Sequence, residues 1–131
     1  GKNALGRAAS YASERIVFDR PIGQNQAIQH PLAQSWIDLH ASELMIRHAG
    51  WLYDSGQPCG AEANAAKYFA AEAAHTAATR AVTTHGGMGY AREFHVERLL
   101  RETMIPKLAP VSAQMILCYI AETVLGLPKS Y

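Results

Sequence analysis

The chain has 131 residues, enough to build one hydrophobic core and too few to expect two domains. Twelve Lys and Arg against eleven Asp and Glu leave a formal net charge of +1, so no overall field draws the protein to nucleic acid or to an anionic membrane. Cys59 and Cys118 stand far apart, in neither a metal-ligand spacing nor a disulfide framework, and read as free thiols.

The opening GKNALGRAAS lacks an initiator Met and the basic, apolar, small order of a signal peptide, and no apolar run reaches the roughly 18 to 20 residues of a membrane span. Its apolar pattern begins without a capping residue, which reads as a piece of a longer protein. In ALGRAASYASERI, Leu5, Ala8, Ala12 and Ile16 recur at helical spacing, and VFDRPIGQ then breaks the pattern into a loop. A second helix is predicted from Gln26 to Ser55 along the stripe Ile28, Leu32, Trp36, Leu39, Ile46 and Tyr53, with Pro31 in its first turns. DSGQPCG supplies the tight connection.

Residues 61 to 83 hold eleven alanines, which raises helix propensity and lets the helix pack close to its neighbours. After HGGMGY, the run HVERLLRE reads as a short helix. PVSAQMILCYIAETVLG reads as the last, with Pro110 at its first position. The last helix is apolar on nearly every side, as in a buried element or a subunit interface. No segment alternates with period two, so the expected fold is all-α, an antiparallel four-helix bundle occupying residues 1–131 as one domain.

Gly86, Gly87 and Gly89 either let a backbone approach a phosphate or simply end the alanine-rich helix and turn the chain. They match neither the dinucleotide fingerprint nor the Walker loop. The six histidines, at 30, 40, 48, 75, 85 and 95, form no i, i+4 pair and no HExxH group, so packing and surface roles are favoured over a metal site. Ser10, Ser13 and Ser112 lie in no nucleophile-elbow context, and no Cys stands near a His. Glu97, Arg98, Arg101 and Glu102 either clamp a ligand or, as alternating charge on a short helix favours, form a solvated face. Arg15, where the first helix meets its loop, either offers a guanidinium fork to a phosphate or serves as a helix-end cation packed on Phe18.

Taken together, RIVFDRPIGQNQAIQHPLA, LYDSGQP, AAKYFAAEAA and HGGMGYAREFHVERLLRE resemble the acyl-CoA dehydrogenases, in the order and spacing of that family's C-terminal helical-bundle domain. The resemblance covers nearly the whole chain and lacks the start of the bundle's first helix, the N-terminal helical domain and the middle β domain. It implies an FAD-dependent oxidoreductase of fatty acid metabolism, in which a carboxylate removes the α proton of an acyl-CoA thioester and the β hydrogen leaves to the flavin as hydride. The product is a trans-2-enoyl-CoA, and the electrons pass to an electron-transfer flavoprotein.

By the same resemblance, Arg15 and Phe18 approach the FAD pyrophosphate and adenine of a neighbouring subunit, and Gln26 lies near that cofactor. Thr83, Gly86 and Gly87 pack on its adenosine diphosphate half, while Ser112 and Gln114 match positions close to the flavin. A homodimer or homotetramer is implied, located in a bacterial cytoplasm in preference to a mitochondrial matrix. The isolated domain is expected neither to hold FAD strongly nor to turn over.

Two positions depart from the family's pattern. Thr83 stands where many relatives carry Gln, and the family's YEGTSQ box aligns to APVSAQ, which puts Pro110 at the catalytic Glu. Proline accepts no proton, so no catalytic residue is assigned. Glu93, Glu97, Glu102 and Glu122 read as structural. The base then lies before Gly1, lies in another domain, or has been lost in a non-dehydrogenase acyl-CoA-binding or assembly protein of the same fold.

Overall fold

A computed structural model describes residues 1–130. The elements in chain order are α1 (Lys2–Glu14), β1 (Ile16–Val17), β2 (Arg20–Pro21), α2 (Gln26–Asp54), α3 (Gly60–His85), α4 (Val96–Glu102), α5 (Ile105–Leu108) and α6 (Ala113–Tyr119). Single 3₁₀ turns cover Ile22–Gln24, Gly86–Tyr90 and Arg92–Phe94, and a π turn, Ile120–Val124, extends α6. The bundle expected from the periodicity is present: α3 is its central rod, touching α1, α2, α4, α5 and α6.

Alanine sets the spacing. Ala4 and Ala8 of α1 pack with Ala78 and Ala81 of α3 and Val96 of α4, while Leu39 of α2 packs with Ala73 and Ala77. Methyl side chains allow the helix backbones to approach closely, so few large groups fit inside; the largest fully buried side chains are Ile116, Val96 and Ser35.

That spacing corrects the predicted stripe of α2. The positions facing inward are Ser35, Leu39, Ser42, Ala49 and Leu52, whereas Trp36 is 60 % exposed and Ile46 and Tyr53 are also exposed. Small serines fit opposite the alanine helix because their hydroxyls are satisfied there. Ser42 Oγ donates to Asp38 O at 2.7 Å, and Ser35 Oγ accepts from Arg80 Nη1 at 2.9 Å. Pro31 is the sixth residue of the helix, past the donors that go unused at a helix start. Its own carbonyl accepts a hydrogen bond from Arg80 Nη1 at 3.0 Å.

A small antiparallel hairpin replaces the expected loop, with Ile16 opposite Pro21 and Val17 opposite Arg20. Ile16 is therefore an exposed strand residue and no part of the α1 stripe. Phe18 and Asp19 turn the hairpin at φ 51° and 59°, the two successive positive values of a type I′ turn, here without the usual Asn-Gly. The C-terminal region differs from expectation too. Pro110 lies in the segment before α6, and Ser112 caps that helix, its Oγ accepting from Met115 N at 3.4 Å. A serine at this position satisfies a donor that proline cannot. The stretch Val96–Val124 is apolar enough in composition for a membrane span, but it is divided among α4, α5 and α6 by breaks at 103–104 and 109–112.

Candidate functional site

The end of α1, the first strand and the end of α3 enclose an open cavity of about 400 Å³, whose walls include Arg15, Val17, Thr83, His85, Gly86 and Gly87. Arg15 occupies the position just after α1, and its backbone N–H donates to Tyr11 O at 2.8 Å. The Arg15 carbonyl accepts from Ile22 N at 2.9 Å, so the chain returns on itself and fixes the base of the hairpin. None of the salt bridges among the described residues uses the Arg15 guanidinium. Phe18, 93 % exposed, stands at the hairpin tip and does not cover Arg15.

The three glycines divide their work. Gly86 ends α3 at φ 59°, ψ −136°, a conformation open essentially to glycine alone. Gly89 is held against the helix: a Cβ there would meet Val82 O at 2.3 Å. Gly87 has neither requirement, since a Cβ would meet nothing within 4 Å. Its surface faces the cavity, where a missing side chain leaves backbone open to a ligand. Beside it, Thr83 Oγ1 donates to Arg80 O at 3.0 Å and Thr84 Oγ1 to the same carbonyl at 2.7 Å. Thr83 lines the cavity, and its hydroxyl oxygen retains acceptor capacity after that donation.

Four of the eight residues named from the sequence thus share one cavity: Arg15, Thr83, Gly86 and Gly87. Phe18 projects from the adjoining hairpin, and Gln26 is the exposed first residue of α2. Ser112 and Gln114 lie elsewhere, at the start of α6. Three side chains on α3 hold the segment leading to them. Lys67 Nζ donates to Pro106 O and Val111 O, both at 2.5 Å. Lys107 pairs with Glu72 at 2.8 Å, and His75 Nδ1 meets Thr103 Oγ1 at 3.2 Å.

Four carboxylates, Glu43, Glu72, Glu97 and Glu102, are held in ion pairs among the described residues. Glu97 pairs with Arg101 and Glu102 with Arg98 on α4. Glu43 of α2 accepts from Lys2 of α1 and from Arg47, and those two cations hold its carboxyl down to about 2. No carboxylate occurs in residues 109–114. Among the described residues, no group of three or more His, Cys, Asp or Glu converges as a metal site would. His40 stacks on Trp36 and His48 on Trp51 along the exposed side of α2, while His85 is buried against Tyr11 and Phe94.

Lys67, Arg80 and His85 went unassigned from sequence. A lone cation or imidazole within an alanine-rich run gives no sign of what it meets across the fold.

A cavity at two helix ends of a helical bundle, lined by a guanidinium outside every salt bridge among the described residues and by exposed glycine backbone, has the chemistry to accept an anion. The model of the acyl-CoA dehydrogenase C-terminal domain matches residues 1–124, and the chain belongs to that family. It is similar to "Acyl-CoA dehydrogenase FadE12" of Mycobacterium tuberculosis, 44 % identical over 133 aligned positions that cover 100 % of this chain and 34 % of the relative. The butyryl-CoA dehydrogenase structure from Megasphaera elsdenii superposes with a TM-score of 0.91 at 27 % identity, covering 95 % of this chain and 32 % of that one. A structure described as the FAD complex of PigA superposes with a TM-score of 0.91 at 25 % identity, covering 96 % and 33 % of the two chains. The chain therefore spans about a third of the length of the relatives it matches.

Proposed function

We propose that this chain is the C-terminal helical domain of an FAD-dependent acyl-CoA dehydrogenase that converts an acyl-CoA thioester to a trans-2-enoyl-CoA. The observation that carries the reading is the convergence of Arg15, Thr83, Gly86 and Gly87 on one cavity. The donor set suits a dinucleotide. Arg15 offers a planar fork to a phosphate, and Gly87 leaves room for the backbone to come close. Phe18, held outside its own fold, presents an aromatic face to an adenine across a subunit boundary, with Gln26 beside it. Ser112 and Gln114 serve the flavin end. Bound FAD would supply the hydride acceptor that no side chain can provide.

Pro110 takes no proton, so the base that removes the α proton belongs to a part of the protein outside these residues. The outward apolar face of α2, with Trp36, Leu44 and Trp51, supports a homodimer or homotetramer. An electron-transfer flavoprotein is the proposed electron acceptor. The bacterial relatives support the cytoplasm as the location. A second reading, an acyl-CoA-binding or assembly protein of the same fold, is favoured by Pro110 alone.

An anaerobic visible spectrum of the full-length protein separates the two readings. Bleaching of the oxidised flavin band by one member of an acyl-CoA panel is the expected result. A bound flavin that no thioester bleaches would establish the second reading.

A further inference from the structure

His85 is the last residue of α3, and its side chain is buried, with 4 % of the residue exposed. Its Nδ1 lies 2.7 Å from Ala81 O. A carbonyl only accepts, so Nδ1 carries the proton, and in the neutral ring Nε2 is left as an acceptor. The ring has little freedom to turn away. It stacks on Tyr11 with centroids 4.2 Å apart and meets the edge of Phe94 at 5.4 Å.

Nε2 has no hydrogen-bond partner among the described residues, yet no side-chain nitrogen or oxygen there is sealed from solvent without one. It is therefore not sealed from solvent. His85 lines both the Arg15 cavity and a neighbouring cavity of about 450 Å³ bounded by Asn3, Arg7, Glu14 and Glu93.

We propose that His85 is a cofactor-positioning residue whose Nε2 accepts a hydrogen bond from a ribose hydroxyl of the dinucleotide held against Arg15 and Gly87. This rests on the FAD reading above. The chemistry of the wall selects the hydroxyl: an acceptor repels phosphate oxygens, which go to Arg15 and the open glycine backbone. A nucleotide carries both groups close together, and the aromatic clamp on His85 holds the acceptor ready before binding.

The test uses the full-length protein stripped of flavin and titrated by flavin fluorescence with FAD and with an FAD analogue whose adenosine ribose lacks both hydroxyls. His85→Phe keeps a ring between Tyr11 and Phe94 and removes the Nε2 acceptor together with the Nδ1–H donor to Ala81 O. It is expected to weaken FAD about fivefold, the worth of one hydrogen bond. Wild type should lose a similar factor on going to the analogue, and the variant should bind both ligands alike.

Unchanged FAD affinity in His85→Phe, or a variant that still distinguishes the two ligands, overturns the proposal. Equal binding of both ligands by wild type does so too, whether or not the variant folds. Arg15→Ala separates the two levels. If Arg15→Ala weakens FAD and His85→Phe does not, only the role of His85 fails; if Arg15→Ala leaves FAD affinity unchanged, the cofactor reading fails with it.

Discussion

The two ends of the candidate site are built by different physics. The turn at Gly86–Gly89 is fixed by steric rules within a few residues: a positive φ at one glycine and a backbone oxygen against another. The segment from Thr103 to Ser112 is fixed from outside, by Lys67, Glu72 and His75 reaching over from α3. The first end carries Arg15, Gly86 and Gly87, which the family resemblance names for the cofactor, with Thr83 where many relatives have Gln; the second carries Pro110 where the resemblance places a carboxylate. The two ends are thus held by separate contacts, and substitution at Pro110 need not disturb the Arg15 cavity.

The sharpest way to break that contrast is at Gly89. Gly89→Ala drives a methyl into Val82 O and should cost about 3 kcal/mol in thermal or urea unfolding. A loss under about 1 kcal/mol would mean that the turn yields more easily than its geometry says. Lys67→Met is the matching test at the other end. It leaves the carbonyls of Pro106 and Val111 without their shared donor and should cost about 1 to 2 kcal/mol. Faster proteolysis within residues 104–112 should accompany it, with FAD affinity at the Arg15 end less affected than by Arg15→Ala.

Gly87→Ala sharpens the comparison within a single turn. Nothing in this chain resists the added methyl, so stability should stay within about 0.5 kcal/mol of wild type. FAD affinity of the full-length protein should nevertheless fall about tenfold, read by fluorescence titration. A variant as unstable as Gly89→Ala would assign Gly87 to the fold.

The smallest effect belongs to Glu43, which ties Lys2 of α1 to α2 and pairs with Arg47 one turn along its own helix. Its folded carboxyl titrates near 2, below the ordinary value of 4.5. The contribution is therefore present above about pH 4.5 and fades as pH falls toward 2. Glu43→Gln should flatten that part of an acid-unfolding curve slightly, because the pair is exposed and screened by salt.

Legibility in the sequence follows the same division. Helix α2 was expected over Gln26–Ser55 and runs Gln26–Asp54, and α3 ends at its glycine turn; local propensity and capping decide both. The inward face of α2 was misread because hydrophobicity alone favours Trp36 and Ile46, while an alanine partner admits Ser35 and Ser42. The hairpin was invisible because two-residue strands show no alternation. Pro110 was assigned to the start of α6 because proline favours first turns, but the cap two residues later outcompetes it. Arg15, Gly86 and Gly87 were legible as possible phosphate contacts with the alternatives left open, whereas Thr83 and the assignment to FAD came from the resemblance. Their shared cavity needed the fold, since Arg15 and Thr83 belong to different helix ends.

The methyl-lined interior has a thermodynamic consequence. Unfolding raises heat capacity in proportion to the apolar area newly wetted, and here Trp36, Trp51, Tyr53 and Leu125 are wet already. Calorimetry of the separate chain should give an increment below the roughly 12 to 15 cal/mol/K per residue of ordinary domains. A shallow stability curve follows, so the domain alone responds weakly to cooling. The steeper curvature of a complete protein would be acquired where those aromatic rings are covered.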